Sequence, residues 1–111
     1  MQVNEYQQLA MTTLNPALDE RDVLLDGVMG LCGESGEVID LVKKHLSQGH
    51  PLDKAKLAKE LGDVAWYLAE TAAAIGYSLE DIFQMNLDKL KSRYPEGHFS
   101  VERSVHRQEE G

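Results

Sequence analysis

The chain shows no run of strict apolar–polar alternation, and its β-branched and aromatic residues are scattered, so strand signals are weak. Apolar residues recur instead at three- and four-residue intervals, the spacing of one face of a helix. The pattern predicts a first helix from about Asn4 to Leu14, ended by Asn15-Pro16, because proline disfavours helical backbone in the residue before it. A long second helix is predicted from about Asp19 to Leu46, with apolar residues at 24, 28, 31, 38, 42 and 46. Ser47-Gln48-Gly49-His50-Pro51 is a turn by composition. Asp53 then caps a third helix running to about Ile75 and closed by Gly76. Ser78, with Asp81 three residues on, resembles a capping box for a fourth helix ending near Arg93, before Pro95. Residues 95–111 read as a polar tail. The expected fold class is all-α, a helical bundle of about four main helices with a long central antiparallel helix pair.

A chain of 111 residues suits one domain rather than two, and its 42% hydrophobic content can close a modest core without disulfide or metal staples. Cys32 has no cysteine partner in the chain, fits a reducing compartment, and is expected as a small buried hydrophobe beside Val28 and Leu31. The N-terminus has no basic, apolar leader pattern, and the most apolar segment, Ala65 to Tyr77, is interrupted by Glu70. A cytoplasmic protein is therefore expected. The net charge of −8 opposes attraction to nucleic acid or an anionic membrane, so neither is expected as a partner. The small residues of Ala69 to Ala74 allow close helix approach, either within the protomer or at a subunit interface.

Four acids depart from the solvated norm. At 100° per residue, Glu34 and Glu37 share a side of the second helix with Gly27, Gly30, Leu31, Val38 and Leu41, which is not its polar face. Glu60 and Asp63 likewise share a face of the third helix with Leu57, Val64, Tyr67, Leu68 and Thr71. Counting back from the turn to each pair leaves a mismatch of about 3 Å, so the two pairs lie level across an antiparallel hairpin. Two carboxylates about 4 Å apart repel by roughly 4 kcal/mol at an effective dielectric of about 20. Protonation or a divalent cation must relieve that strain. Oxygen-only ligation favours Mg²⁺, with Mn²⁺ as a substitute or Ca²⁺, over zinc, and the absence of Glu-x-x-His disfavours a di-iron centre.

On the fourth helix Asn86, Lys89 and Arg93 fall at i, i+3 and i+7. Set beside a cation-loaded acid site, an amide and two positive groups suit a polyphosphate. Lys44, two turns after Glu37, either reaches a phosphate or is simply solvated. His45, His50, His98 and His106 form no ligand pair within one element and are expected at the surface.

These residues carry a resemblance. Gly33-Glu34-Ser35-Gly36-Glu37-Val38, Glu60-Leu61-Gly62-Asp63-Val64 followed by Trp66-Tyr67, Asn86-Leu87-Asp88-Lys89-Leu90 and Arg93-Tyr94-Pro95-Glu96-Gly97 are similar to the MazG-like nucleoside triphosphate pyrophosphohydrolases, an all-α superfamily. The resemblance spans nearly the whole chain, with residues 1–94 as the catalytic domain and 95–111 as its tail. It implies Mg²⁺-dependent cleavage between the α- and β-phosphates, giving a nucleoside monophosphate and pyrophosphate, in a homodimer or homotetramer. Glu34, Glu37, Glu60 and Asp63 fall on the family's metal ligands, with Glu37 also orienting or deprotonating the attacking water. Asn86 and Lys89 fall at substrate contacts, and Tyr67 packs against sugar or base, or serves as core. Some relatives have an acid immediately before the first Glu, where this chain has Gly33, which leaves the general base and the metal count open. Tyr6, Gln7 and Thr13 are candidates for base selection by position alone. The rival expectation is a non-catalytic acidic helical interaction protein with a structural cation site.

Overall fold

The computed structural model describes residues 1–107, and among them no strand occurs. Five helices follow in order: α1 (Val3–Met11), α2 (Glu20–Gln48), α3 (Lys54–Ala74), α4 (Leu79–Arg93) and α5 (Val101–Val105). The expected all-α class and the long central helix pair are present, with one short helix more than expected. None of the helices is long and apolar enough to cross a membrane.

Local chemistry sets the helix ends. The Asp19 carboxylate accepts from the Asp22 backbone N–H at 2.8 Å and Asp53 from that of Lys56 at 3.1 Å, so each long helix starts at an aspartate cap. Gly49 takes the left-handed conformation at φ 71° that closes α2, a position that costs glycine nothing. α1 stops at Met11, three residues short of the expected end. The Thr12 and Thr13 hydroxyls donate to the Leu9 and Ala10 carbonyls at 2.6 and 2.7 Å, and the chain tightens there into i to i+3 bonds.

The chain divides into two compact units, Met1–Leu79 and Glu80–Gly111. In the first, α3 packs on both α1 and α2. Buried Gln7 ties α1 down: its amide nitrogen donates to the Ala69 and Tyr77 carbonyls at 3.3 and 3.2 Å, and its oxygen accepts from the Leu79 N–H at 2.9 Å. The Trp66 indole N–H adds bonds to the Ala10 carbonyl at 3.1 Å and the Thr13 hydroxyl at 2.9 Å. Ala10, Ala69, Ala72 and Leu79 are buried apolar residues of this unit, so the small side chains at 69 and 72 serve packing within the protomer.

α2 meets α3 through glycines. A Cβ on Gly27 would fall 2.5 Å from the Thr71 hydroxyl oxygen and 3.2–3.3 Å from Thr71 backbone atoms, and one on Gly30 would collide with the Tyr67 ring. Residues 27, 30 and 34 of α2 therefore lie against 71, 67 and 60/63 of α3, an antiparallel seam. The apolar stripe of α2 divides: Leu31, Val38 and Val42 are half-buried, whereas Leu24, Val28 and Leu46 are exposed, as are Met29 (69%) and Ile39 (66%). Cys32 is exposed too, which corrects the expectation of a buried thiol. At 100° per residue it lies on the side of α2 opposite the glycine seam.

In the second unit, the segment read as a tail contains α5, capped by the Ser100 hydroxyl, which accepts from the Arg103 N–H at 3.0 Å. The Arg103 guanidinium donates to the Glu96 carboxylate at 2.7 Å, and the Tyr94 and Phe99 rings meet at 5.5 Å. The last four tail residues lie outside the described ones.

Candidate functional site

One carboxylate oxygen each from Glu34, Glu60 and Asp63 lies within 4.8 Å of the others. α2 supplies the first and α3 the other two, one turn apart on one face. The register of the glycine seam brings them together, because contacts at 27/71 and 30/67 carry the next layer to 34/63. Glu34 and Glu60 are half-buried and Asp63 is exposed, so the cluster opens to solvent on one side.

Glu60 Oε2 is buried and has no hydrogen-bond partner. Contact with the Glu60 carboxyl, then burial, then the charges of Glu60, Asp63 and Glu37 raise the Glu34 pKa above the ordinary carboxylate value. A buried oxygen without a donor and a carboxyl pressed on its neighbours are what a divalent cation would satisfy. The donor set is all oxygen, which suits Mg²⁺, Mn²⁺ or Ca²⁺.

Glu37 is exposed and outside the three-carboxylate group, although its charge acts on Glu34 and Lys44. Lys44 forms an ion pair with Asp40 at 2.8 Å, an i, i+4 contact along α2. Tyr67 is half-buried across Gly30, its ring edge-on to Trp66 at 4.9 Å. Burial first, then the charges of Asp26, Glu34, Glu70 and Asp63, hold its phenol protonated above the usual range. Asn86 and Lys89 are exposed on α4 and Arg93 is half-buried. Of the three N-terminal candidates, Gln7 and Thr13 are occupied in holding the N-terminal segment to the unit, while Tyr6 feels the charge of Asp63, its pKa raised by burial and then by that charge. The histidines at 45, 50, 98 and 106 are exposed.

Two acids were not singled out by sequence reasoning. Glu70 is fully buried beside Asp26 of α2. The available signal was a charge at position 70 interrupting the most apolar segment of the chain.

The family model of the MazG nucleotide pyrophosphohydrolase domain matches residues 26–98, which include all the carboxylates of the cluster. The chain belongs to the MazG family. Its relatives include the Gene 37 protein of Mycobacterium phage L5, 37% identical over 106 residues, covering 87% of this chain and 92% of the relative. No solved structure matches the chain. The MazG match ends short of α1, so Tyr6, Gln7 and Thr13 lie outside the shared region.

Proposed function

We propose that this MazG-family chain is a Mg²⁺-dependent nucleoside triphosphate pyrophosphohydrolase that cleaves an NTP or dNTP to the monophosphate and pyrophosphate. The convergence of Glu34, Glu60 and Asp63, with Glu60 Oε2 buried and lacking a donor, is the observation that carries it. When bound, the divalent cation supplies charge neutralisation for the phosphate oxygens and acidifies a ligated water.

The chain's own residues have separable roles. Glu34, Glu60 and Asp63 hold the cation, and the half-buried Glu34 and Glu60 limit water on the α2/α3 side. Glu37, one turn after Glu34 and free of the three-carboxylate group, completes the ligand set and takes the proton from the attacking water. Asn86, Lys89 and Arg93 contact phosphate oxygens, and Tyr67 offers a ring edge to sugar or base. Lys44 is committed to Asp40 and contributes to phosphate binding only if that exposed pair parts.

The exposed stripe of Leu24, Val28, Met29, Ile39 and Leu46 on α2 supports assembly as a homodimer or homotetramer. Sedimentation of the parent and of Ile39→Glu tests it, with dissociation expected for the variant.

The reaction is tested by pyrophosphate release across a panel of ribo- and deoxyribonucleoside triphosphates with Mg²⁺, using Glu60→Gln as the blank. Release by the parent alone supports the reading. Silence across the panel from folded, Mg²⁺-bound protein refutes it and leaves the non-catalytic cation-binding role.

A further inference from the structure

Glu70 of α3 is 0% exposed, and neither of its carboxylate oxygens has a hydrogen-bond partner. A lone ionised carboxylate is not tolerated in such a place. The group that acts on it is the carboxyl of Asp26, reaching across from α2, where it is exposed at the rim of the seam. Two carboxylates offer each other acceptors only. A proton on one of them turns the contact into a short acid–carboxylate hydrogen bond.

Burial favours the proton on Glu70, since Asp26 keeps its contact with water. The neighbouring groups are uncharged: α1 approaches α3 here with the Gln7 amide on the Ala69 carbonyl, and Tyr67, one turn earlier on α3, is a protonated phenol. Desolvation, then the Asp26 carboxyl and its charge, push Glu70 up to about 7.

The pair has a definite place in the seam. Asp26 and Glu70 immediately precede Gly27 and Thr71, where a Cβ on residue 27 would stand 3.2–3.3 Å from Thr71 backbone atoms; Gly30 against Tyr67 follows, and then Glu34 against Glu60 and Asp63. We infer that Glu70 is a positioning residue that shares one proton with Asp26, clamping α2 to α3 at the layer next to the glycine contact and so fixing the separation of the carboxylates further along. The clamp belongs to the seam itself, whether or not the protein hydrolyses nucleotides.

The test uses the full chain in EDTA, so that no cation masks the effect. Thermal midpoints are followed from pH 5.5 to 8.5 for the parent, Glu70→Gln and Asp26→Asn. The Gln amide donates to Asp26 without titrating, so the thermal midpoint of Glu70→Gln relative to that of the parent is expected to rise by about 10 °C between pH 5.5 and 8.5, nearly all of it below pH 7.5. Asp26→Asn, altered at an exposed position, is expected to move the parent's decline to lower pH, because the Asn amide stabilises ionised Glu70. Parallel profiles for parent and Glu70→Gln would overturn the shared proton, and an unshifted profile for Asp26→Asn would overturn the pairing. Residual Mn²⁺ binding in Glu60→Gln that disappears when Glu70→Gln is added would replace the proton with a second cation.

Discussion

Gly27→Ala is the sharpest test of the α2/α3 seam. The added methyl would meet the Thr71 hydroxyl oxygen at 2.5 Å and Thr71 backbone N and Cα at 3.2 and 3.3 Å. The hydroxyl is not free to swing away, because it donates to the Tyr67 carbonyl at 2.8 Å, and the backbone atoms move only if α3 moves. Overpacking of this kind costs about 1–3 kcal/mol, with a rigid neighbour placing it in the upper part of that range. The gain in helix propensity returns about 1 kcal/mol, leaving a net loss of about 1–2 kcal/mol. At about 4–8 °C per kcal/mol, the thermal midpoint falls by roughly 5–15 °C. Gly36→Ala and Gly62→Ala are the matched controls: both sit in helices with nothing within 4 Å of the new methyl, so each gains up to about 1 kcal/mol. Urea unfolding followed by circular dichroism measures all three. A Gly27→Ala protein as stable as its parent would refute the close approach, and with it the register that brings Glu34 to Glu60 and Asp63.

Other consequences are independent of that contact. Chelation by EDTA is expected to abolish pyrophosphate release and Mg²⁺ or Mn²⁺ to restore it, while Glu60→Gln loses the rise in thermal midpoint that Mg²⁺ gives the parent, read by scanning fluorimetry. Gln7→Leu strands the Leu79 N–H and removes both amide contacts to carbonyls, a loss of about 2–3 kcal/mol on urea unfolding. Trp66→Phe removes the indole bonds to Ala10 and Thr13 for about 1–2 kcal/mol, with faster amide exchange expected around residues 10–14. Glu70 has its folded pKa raised from 4.5 to about 7, so its folded form binds the extra proton. Stability from this group is therefore complete below pH 4.5 and declines as pH rises towards 7, by at most about 3 kcal/mol, a slope that Glu70→Gln removes.

The long elements were legible because their signals are local. Helical periodicity, the aspartate caps at 19 and 53 and the glycines at 49 and 76 each act within a few residues, and the observed helices follow them closely. The level placement of Glu34 with Glu60 and Asp63 was legible for the same reason, since a short turn and 1.5 Å per residue fix the register of a hairpin. The early end of α1 was not, because two threonine hydroxyls competing for helix carbonyls shorten it without any proline. The burial of Glu70 was not legible either. It depends on Asp26, forty-four positions earlier, and on the absence of side chains at Gly27 and Gly30, which lets the two helices come close enough to enclose it.

Cys32 shows where periodicity alone misleads. Leu24, Val28 and Leu46 belong to an apolar stripe of the kind that ordinarily marks a core, yet that part of it faces outward with Cys32, while Gly27, Gly30 and Glu34 pack against α3. Leu31, Val38, Leu41 and Val42 are half-buried, so hydrophobic burial accounts for part of the orientation of α2. Shape adds to it: on one side the helix carries Gly27 and Gly30, spaced to admit Thr71 and Tyr67. The carboxylates at 34, 60 and 63 are carried inward by that fit, against their mutual repulsion, and a conflict of this kind between local preference and global packing is where a binding site is expected. The seam thus serves stability at its glycine end and cation binding at its acidic end. Gly27→Ala, or Glu70→Ala, which leaves Asp26 nothing to bond, should for that reason weaken divalent-ion affinity without touching a ligand.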